Sequence, residues 1–399
     1  MILTSKQEKG LKLAIERYKN GFPYTTIAGY AGTGKSTLVS VIISSLGLYP
    51  EEVAYISFTG KAALVLSNKG CPNATTAHKL LYKSVLMPDG QYRHVPKEEL
   101  DQDYKLIVVD EVSMLPQEIW DLLLSHHVYI IALGDPGQLP PISGTNEILA
   151  NPHIFLDEIM RQALDSEIIS LTLDIREGKP LKPFKGKDVI IIPKSELNTG
   201  MMEWADQILC ATNDERKNKN MIMRKLRGFE SEEPQEGDKL FCLKNYWNFL
   251  ALSKNSPPLV NGSIGVVKNL NTDYFQVPTN FIQLPDNPSN RIEFIEGDFV
   301  TEDGAIFTDL KIDKKMILTG EKCVQGPALY RMLKNKKTQD LIPMEFDYGY
   351  AITTHRAQGS QWDKVLVIEE NFPFKAEEHK RWLYTACTRA AEKLVLVQK

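Results

Sequence analysis

The sequence lacks the features that mark several common classes of protein. Its five cysteines are scattered and form no Cys-x-x-Cys pair, which argues against a zinc site or a disulfide framework and favours a reducing compartment. The seven histidines form no ligand cluster, and the adjacent pair His126-His127 is predicted to be a helix-to-strand junction. No apolar run approaches the length of a membrane span, and charged residues begin at Lys6, which is atypical of a signal peptide. We therefore expect a cytoplasmic protein without membrane association, in the host cytoplasm if a phage encodes it.

A strong excess of positive charge is also missing. The formal net charge of −4 gives no support to nucleic-acid binding from bulk charge. Two segments differ locally: residues 311–337 contain eight Lys or Arg against two acids, and residues 213–227 contain six against two. Such runs are usually solvated faces, so they indicate a polyanion site only where other evidence places one nearby.

The strongest motif in the sequence is a phosphate-binding loop. Residues 29–37 fit G-x-x-x-x-G-K-[ST] and lie between a predicted strand and a predicted helix that ends at Gly47. Backbone N–H groups of such a loop surround an anion, and the helix N-terminus adds positive potential. The residues predicted to bind ATP here are Gly29, Ala31, Gly32, Thr33, Gly34, Lys35, Ser36 and Thr37. Lys35 is expected to reach the β- and γ-phosphates, and the Ser36 hydroxyl to bind Mg²⁺.

Two later strands are predicted to end at the same site. A buried strand at residues 106–109 runs into Asp110 and Glu111, where Asp110 would hold Mg²⁺ through its water shell and Glu111 would polarise the attacking water. A second buried strand runs into residues 134–141, and places Gln138 at the sheet edge where ligands bind in open α/β folds. The paired acids favour hydrolysis over small-molecule kinase chemistry, because a water needs a base.

Several small polar residues lie at predicted strand-to-helix edges. Thr59, Thr76 and His78 are placed either to cap helices or to contact a phosphodiester backbone, and Lys61 follows Thr59 closely. Pro-Asp-Gly at residues 88–90 predicts a turn between two extended runs, and hence a β-hairpin.

The motifs in this order resemble those of superfamily 1 helicases, and most of all the RecD/Dda-like branch, superfamily 1B. Later segments agree: residues 156–162 look like the arginine motif that opens the second motor domain, 350–360 like the Thr/His and Gln-Gly motif, and 383–390 like the final arginine-finger motif. The resemblance covers nearly the whole chain. It implies two RecA-like parallel-sheet motor domains, use of ATP and Mg²⁺, and 5′→3′ movement on single-stranded DNA.

The resemblance also assigns roles to individual residues. Arg161 and Arg389 would reach the γ-phosphate from the second domain, so that hydrolysis depends on closure of the cleft. Gln358 and Gly359 would couple the DNA contacts to the nucleotide, and Gln7 would read an adenine edge. The residues expected to contact DNA are Thr59, Lys61, Thr76, His78, Met87, Tyr92, Thr212, Asn213, Thr353 and His355.

Domain boundaries follow from the same comparison. We expect a first motor domain at residues 1–155 with a strand-separating hairpin at 83–102, whose tip would carry Met87 and Tyr92. The second motor domain would combine residues 156–235 and 345–399 around a small SH3-like β-barrel at 236–344. The expected partners are single-stranded DNA and forks, with single-strand-binding or replication and recombination proteins as further partners, and the chain is expected to be a monomer.

Other functions fit part of the pattern. A translocase that strips proteins from DNA or acts on RNA would keep the same hydrolysis site without needing a hairpin. A nucleotide-gated DNA-binding switch would not need Glu111, Arg161 and Arg389. A metabolic P-loop kinase would lack the motifs of the second domain.

Overall fold

The structure is a computed structural model, and it describes residues 3–86, 92–140, 147–159, 166–252, 257–279, 283–284, 289–335, 337–373 and 375–399. Two predicted site residues, Met87 and Arg161, lie outside the described residues. The chain divides into two compact units, one of Met1–Tyr82, Pro96–Arg216 and Ile352–Lys399 and the other of Lys83–Val95 and Lys217–Ala351.

The first unit contains two β-sheets, each with its own helices. The first sheet has six strands in the spatial order β3-β2-β6-β7-β1-β8, and neighbouring strands are parallel. These strands are β1 Tyr24–Gly29, β2 Val53–Ser57, β3 Thr75–Thr76, β6 Leu106–Val109, β7 Tyr129–Gly134 and β8 Ile154–Leu156. The helices of this half are α1 Ser5–Lys19, α2 Lys35–Leu46, α3 Gly60–Asn68, α4 Ala77–Leu81 and α5 Gln117–Ser125. Short 3₁₀ turns occur at Pro50–Glu52 and Val112–Met114.

Local sequence explains where these helices begin and end. Thr4 caps α1 through a capping box with Gln7, because each side chain accepts a hydrogen bond from the other residue's backbone N–H. Gly47 ends α2 in the left-handed conformation at φ 69°, as predicted. His126 and His127 lie between α5 and β7, which confirms the predicted helix-to-strand junction.

The second sheet of this unit is also mainly parallel. Its spatial order is β19-β11-β20-β21-β10-β9, with β11, β20, β21 and β10 mutually parallel and β9 antiparallel to β10. The strands are β9 Phe184–Lys185, β10 Val189–Pro193, β11 Gln207–Cys210, β19 Ala351–Thr353, β20 Trp362–Ile368 and β21 Ala390–Gln398. Its helices are α6 Glu167–Arg176, α7 Thr199–Trp204, α11 Thr354–Ala357 and α12 Ala376–Cys387, with a 3₁₀ turn at Lys194–Glu196. The two parallel sheets confirm the predicted α/β class.

The second unit is built on an antiparallel sheet in the order β17-β16-β15-β12-β18. The strands are β12 Lys239–Cys242, β15 Ile264–Gln276, β16 Arg291–Thr301, β17 Ile306–Asp313 and β18 Phe346–Tyr348. Two further pairs of strands are β13 Tyr246–Leu250 with β14 Pro258–Leu259, and β4 Tyr82–Leu86 with β5 Tyr92–Pro96. Helix α8 Asn213–Leu226 runs from the first unit into the second, which also has α9 Lys314–Thr319, α10 Gly326–Lys334 and a 3₁₀ turn at Gln339–Leu341.

The two helices α9 and α10 were not predicted from the sequence. Buried Ala328 and Met332 lie four residues apart in α10 and pack in one cluster with Val277 and Ile292. This helix was missed because it has only nine residues and begins at Gly326, in a stretch whose other signals indicate strands and turns. The assignment of the β-rich part of this unit as an SH3-like barrel stays a prediction.

Much of the basic segment 311–337 has its charge opposed by neighbours. Lys314 forms ion pairs with Glu233 at 3.0 Å and Glu293 at 3.1 Å, and Lys322 pairs with Glu345 at 3.0 Å. The ammonium group of Lys311 lies 5.0 Å from the ring centre of Phe275. These contacts favour the interpretation of this segment as an ordinary solvated face over a polyanion site.

A buried ion pair joins α8 to β12 within the second unit. Arg224 and Asp238 are 1% and 0% exposed, and their Nη2 and Oδ2 atoms are 3.0 Å apart. The Nε of Arg224 donates to Oδ1 of Asp238 at 3.1 Å, and Tyr350 donates its hydroxyl to the same oxygen at 3.1 Å. Arg224 also donates to the carbonyl of Glu233 at 2.7 Å. Both charges are therefore fully hydrogen-bonded, as buried charges must be.

We predict that Arg224→Met lowers the free energy of unfolding by about 3–5 kcal/mol, because it leaves the Asp238 carboxylate buried without its cation. Urea unfolding followed by circular dichroism checks this value. The matched control is Lys375→Met, which breaks an exposed pair with Glu378 (side chains 81% and 50% exposed) and should change stability far less. Equal effects of the two substitutions would contradict the prediction.

No helix among the described residues is long and apolar enough to cross a membrane.

Candidate nucleotide site

The phosphate loop joins the end of β1 to the start of α2. Gly34 is the N-cap of α2 at φ 77°, a backbone conformation that favours glycine. The Thr33 hydroxyl donates to the carbonyl of Tyr30 at 2.8 Å, which holds the turn in place. The loop therefore presents backbone N–H groups beside the N-terminus of α2, where an anion is stabilised.

Lys35 lies at the centre of this loop. Its ammonium donates to the carbonyls of Gly29 at 2.7 Å and Tyr30 at 3.0 Å. Burial lowers the pKa of Lys35, although the carboxylates of Asp135, Asp110 and Glu111 oppose this shift. A triphosphate would supply stronger, charged acceptors for the same ammonium.

The two predicted acids follow β6 as expected. Burial raises the pKa of Asp110 and of Glu111, and the nearby Asp110 adds to the shift at Glu111. Glu111 adopts φ 53°, which is rare for a residue with a side chain, and its Oε2 is buried without a hydrogen-bond partner. Such strain and an orphaned buried oxygen are typical of a functional carboxylate.

Arg389 approaches Glu111 from the second sheet of the same unit. Its Nη1 lies 3.6 Å from Oε1 of Glu111, and the two side chains are 8% and 19% exposed. The guanidinium is held in this position by the carbonyls of Thr385 at 3.2 Å and Ser360 at 3.3 Å. A cavity of about 300 Å³ lies at this contact, lined by Lys69, Asp110, Glu111 and Arg389 among others.

The residues near the loop fit a magnesium ion. Ser36 is exposed at the start of α2, and Asp110 offers a carboxylate at the end of β6, which β7 separates from β1 in the sheet. Mg²⁺ prefers oxygen ligands and is usually bound by one or two protein groups together with substrate phosphates and waters. The donor set that the sequence predicted is therefore chemically suitable.

We call the first sheet with its helices the first sheet domain, and the second sheet of the same unit with its helices the second sheet domain. The segment after β7 contacts the second sheet domain. Gln138 lies here with its Oε1 buried and without a hydrogen-bond partner. Gln358 donates its Nε2 to the carbonyl of Leu139 at 3.4 Å. Gly359 has φ 78°, and a Cβ at this position would lie 2.6 Å from the Cβ of Ala62 in α3. The two halves of the unit are therefore in direct contact where Gln358 and Gly359 were predicted to act.

Gln7 lies beside the phosphate loop, but its amide has other partners. Its Nε2 donates to the carbonyl of Thr33 at 3.3 Å, and its Oε1 accepts from the N–H of Thr4 at 3.0 Å. The residue is 1% exposed. In this arrangement Gln7 joins the loop to the start of α1 by hydrogen bonds. Recognition of an adenine edge by Gln7 stays a prediction.

The predicted DNA-contact residues of the first sheet domain lie at the starts of α3 and α4. Thr59 and Thr76 each accept a hydrogen bond at 3.2 Å from the backbone N–H three residues later, and so cap these helices. Lys61 lies in the first turn of α3, half-buried. The ring of His78 stacks on Tyr82 with centres 5.6 Å apart. Capping is thus observed, and contact with a phosphodiester backbone stays a prediction.

In the second sheet domain the predicted contacts follow β11 and β19. The Thr212 hydroxyl donates to Glu370 at 2.6 Å, and Asn213 accepts from Arg216 at 3.2 Å. Thr353 is 8% exposed at the start of α11, and burial lowers the pKa of the half-buried His355. Tyr92 lies in β5, and the placement of its side chain is outside what the structure describes.

Sequence reasoning missed Asp135, Tyr384 and Thr385, which form hydrogen bonds between the two sheet domains. All three lie inside segments that the sequence analysis identified as motifs, so their location near the site was predictable. Their role was not predictable, because a buried phenol or hydroxyl in a helix usually belongs to the core. Glu370, which accepts from the N–H groups of Ala211 and Thr212, was also missed, and it lies outside the motif segments.

Two family models match the chain. Residues 4–188 match an AAA domain, and residues 348–397 match the UvrD-like helicase C-terminal domain. Together the two matches cover more than half of the sequence.

Individual relatives agree with these families. The chain is 26% identical over 392 residues to the ATP-dependent RecD2 DNA helicase of Deinococcus radiodurans, covering 94% of this chain and 46% of that protein. It is 28% identical over 191 residues to the ATP-dependent DNA helicase dda of Enterobacteria phage T4, covering 44% and 43%. The chain thus spans about half the length of these curated relatives.

The fold is also found in a solved structure. The crystal structure of Pif1 helicase from Bacteroides in complex with ADP-AlF3 and single-stranded DNA superposes with a TM-score of 0.55 at 19% identity, covering 99% of this chain and 92% of that one. This likeness confirms the predicted RecA-like parallel-sheet core.

The raised pKa of Glu111 predicts an unusual pH dependence of ATP hydrolysis. A general base must be ionised, so the rate should fall as the pH drops through the raised pKa, above the range of an ordinary glutamate. The Arg389 cation lowers this pKa, so Arg389→Gln should move the acid limb to higher pH, while Arg389→Lys should move it less. The pH–rate profile, with folding checked at each pH by circular dichroism, tests both statements. An acid limb at the ordinary pKa of glutamate in all three proteins would contradict them.

Gly359→Ala should lower ATP hydrolysis by about tenfold or more, because the new Cβ would force α3 and the second sheet domain apart. Steady-state hydrolysis checks this. Gly178→Ala is the matched control: its φ of 71° imposes a similar backbone cost, but no atom lies within 4 Å of the added Cβ. The steric explanation fails if both variants lose activity equally.

Proposed function

Because the chain belongs to the superfamily 1B helicases, we propose that it is an ATP-dependent DNA helicase that moves 5′→3′ on single-stranded DNA and unwinds duplex DNA. The polarity rests on the family resemblance. The nucleotide is ATP, and Mg²⁺ accompanies it.

The contact between Arg389 and Glu111 carries this proposal. It brings the arginine of one sheet domain within 3.6 Å of the carboxylate that follows β6 in the other. An arginine supplied from across a cleft stabilises transition-state charge and contributes roughly 10³–10⁵ in rate in NTPases. Hydrolysis that needs this arginine is conditional on closure of the two domains, which is what a translocating enzyme requires and a kinase does not.

The residues of the site have distinct tasks in hydrolysis. Lys35 binds the β- and γ-phosphates, and Ser36 and Asp110 hold the magnesium ion. Magnesium, when bound, neutralises phosphate charge. Glu111 accepts a proton from the water that attacks the γ-phosphorus, while the bond to the bridging oxygen breaks and ADP leaves. Gln138, with Arg161 and Arg389, senses and stabilises the γ-phosphate.

DNA contacts would alternate between the two sheet domains. One set of residues would hold the strand on the first sheet domain: Thr59, Lys61, Thr76 and His78. A second set would hold it on the second sheet domain: Thr212, Asn213, Thr353 and His355. Their positions at strand-to-helix edges support this, because backbone phosphates are commonly bound there. Closure and opening would then move one set of contacts along the strand relative to the other.

The remaining assignments belong to the same proposal. The hairpin within residues 83–102, with Met87 and Tyr92, would separate strands, and the insert at 236–344 would be SH3-like. The motor domains would be residues 1–155, and 156–235 with 345–399. Single-stranded DNA and forks are the proposed substrates. Single-strand-binding proteins, or replication and recombination proteins, are the proposed partners, and the working form is a monomer.

We predict that single-stranded DNA strongly stimulates steady-state ATP hydrolysis, and that Arg389→Ala lowers the stimulated rate by at least about 10³-fold while ATP still binds. Fluorescent-nucleotide binding measured beside the hydrolysis assay separates the two effects. The control is Lys375→Met, which removes an exposed cation at the N-cap of α12, the helix whose other end precedes Arg389. A hydrolysis rate that does not change when DNA is added would contradict the proposal. Stimulation by RNA alone would show that the strand it acts on is RNA instead of DNA.

Forks with a single 5′ tail or a single 3′ tail test the finer claims. Unwinding of the 5′-tailed fork only supports the proposed polarity, and unwinding of the 3′-tailed fork only reverses it. Stimulated hydrolysis without unwinding of either fork would favour a translocase that displaces bound proteins.

A further inference from the structure

Tyr384 connects the second sheet domain to two segments of the first. It lies in α12 and is 2% exposed. Its phenolic oxygen accepts a hydrogen bond from the N–H of Ala31 in the phosphate loop at 3.2 Å. The same hydroxyl donates to Oδ2 of Asp135, after β7, at 2.7 Å. One hydroxyl group thus bonds to the nucleotide loop and to the segment that carries Gln138.

The segment after β7 is shaped around this contact. Asp135 uses its other oxygen, Oδ1, to accept from the N–H of Gly137 at 2.9 Å. Gly137 packs directly on the phenol ring, since a Cβ there would lie 3.1 Å from Cε1 of Tyr384. The N–H of Leu139 donates to the Thr385 hydroxyl at 3.0 Å, next to Tyr384 in α12. The segment is therefore docked on α12 through consecutive hydrogen bonds.

The loop bonds to Tyr384 at the place where nucleotide binding must change its hydrogen bonds. Lys35 donates to the carbonyls of Gly29 and Tyr30, the two residues that precede Ala31. Phosphate oxygens compete for that ammonium, so the segment 29–31 loses its two bonds to Lys35 when a triphosphate enters. The N–H of Ala31 belongs to the same short segment and shares its rearrangement.

We propose that Tyr384 is a positioning residue whose hydroxyl transmits the occupancy of the phosphate loop to the segment after β7 and so to the docking of α12. The proposal rests on the ATP-driven cycle proposed above and names the group that couples its two domains. Loss of the Ala31 bond frees the phenol oxygen, and the docking of Asp135, Gly137 and Leu139 on α12 changes with it.

The chemistry of the hydroxyl suits this task. Burial, and then the neighbouring Asp135 carboxylate, raise the pKa of Tyr384, so the phenol keeps its proton at working pH. It can therefore donate to Asp135 and accept from Ala31 at the same time.

Tyr384→Phe tests the proposal, because it keeps the ring against Gly137 and removes only the hydroxyl. We expect the DNA-stimulated hydrolysis rate to fall about tenfold, the scale set by one lost hydrogen bond, with nucleotide affinity changed less than about threefold. Amide hydrogen exchange of residues 135–139, with and without a non-hydrolysable ATP analogue, should respond to nucleotide in the wild type and not in the variant.

Tyr129→Phe is the matched control. Tyr129 is a buried phenol of the first sheet domain with two hydrogen bonds, one with the Thr25 hydroxyl at 2.6 Å and one to the carbonyl of Ala14 at 3.1 Å. Loss of the Tyr129 hydroxyl should lower the free energy of unfolding by a similar amount, without altering the response of residues 135–139 to nucleotide.

The outcomes separate this proposal from the proposed function. A Tyr384→Phe variant with the wild-type exchange response and wild-type stimulation overturns the role of Tyr384. Hydrolysis that is not stimulated by DNA in the wild type overturns the proposed function, and the exchange comparison then decides the role of Tyr384 by itself.

Discussion

The site depends on a pair of opposite charges, Arg389 and Glu111, that meet between two parallel sheets. Burial makes each charge costly unless the other is near, and the two groups lie 3.6 Å apart. The strained backbone of Glu111 and the carbonyls that hold Arg389 fix the pair in position. A nucleotide bound at the phosphate loop would enter this existing field, so the site is prepared for charge before substrate arrives.

The site is built from both sheets of the first unit. The loop, Lys35 and the two acids come from the first sheet, but the arginine, Gln358 and Gly359 come from the second. Gly359 must be glycine, since a Cβ would overlap Ala62, and this close approach makes the relative position of the sheets sensitive to small changes. Chemistry in one half is thereby linked to geometry in the other.

Much of this was predictable from sequence, and the remainder was not for physical reasons. Strongly apolar strands such as β6 and β7, and the loop before α2, have local signals that need no tertiary context. The sequence did not decide whether Thr59 and Thr76 cap helices or contact DNA, because a hydroxyl at a helix start can bond either to the helix backbone or to a phosphate. The hydrogen bonds of Tyr384 could not be predicted, since its partners Ala31 and Asp135 lie hundreds of positions away in the chain. The short helix α10 and the ion pairs that neutralise Lys314 and Lys322 likewise arise only from folding.

The proposed function requires nucleotide state and DNA contact to be coupled through the two sheet domains. The most direct test measures the affinity of a fluorescent single strand for the nucleotide-free protein, the complex with a non-hydrolysable ATP analogue, and the ADP complex. Coupling predicts affinities that differ between states by about fivefold or more, and a difference that Arg389→Ala abolishes. Equal affinity in all three states would contradict the account, whatever the rate of hydrolysis.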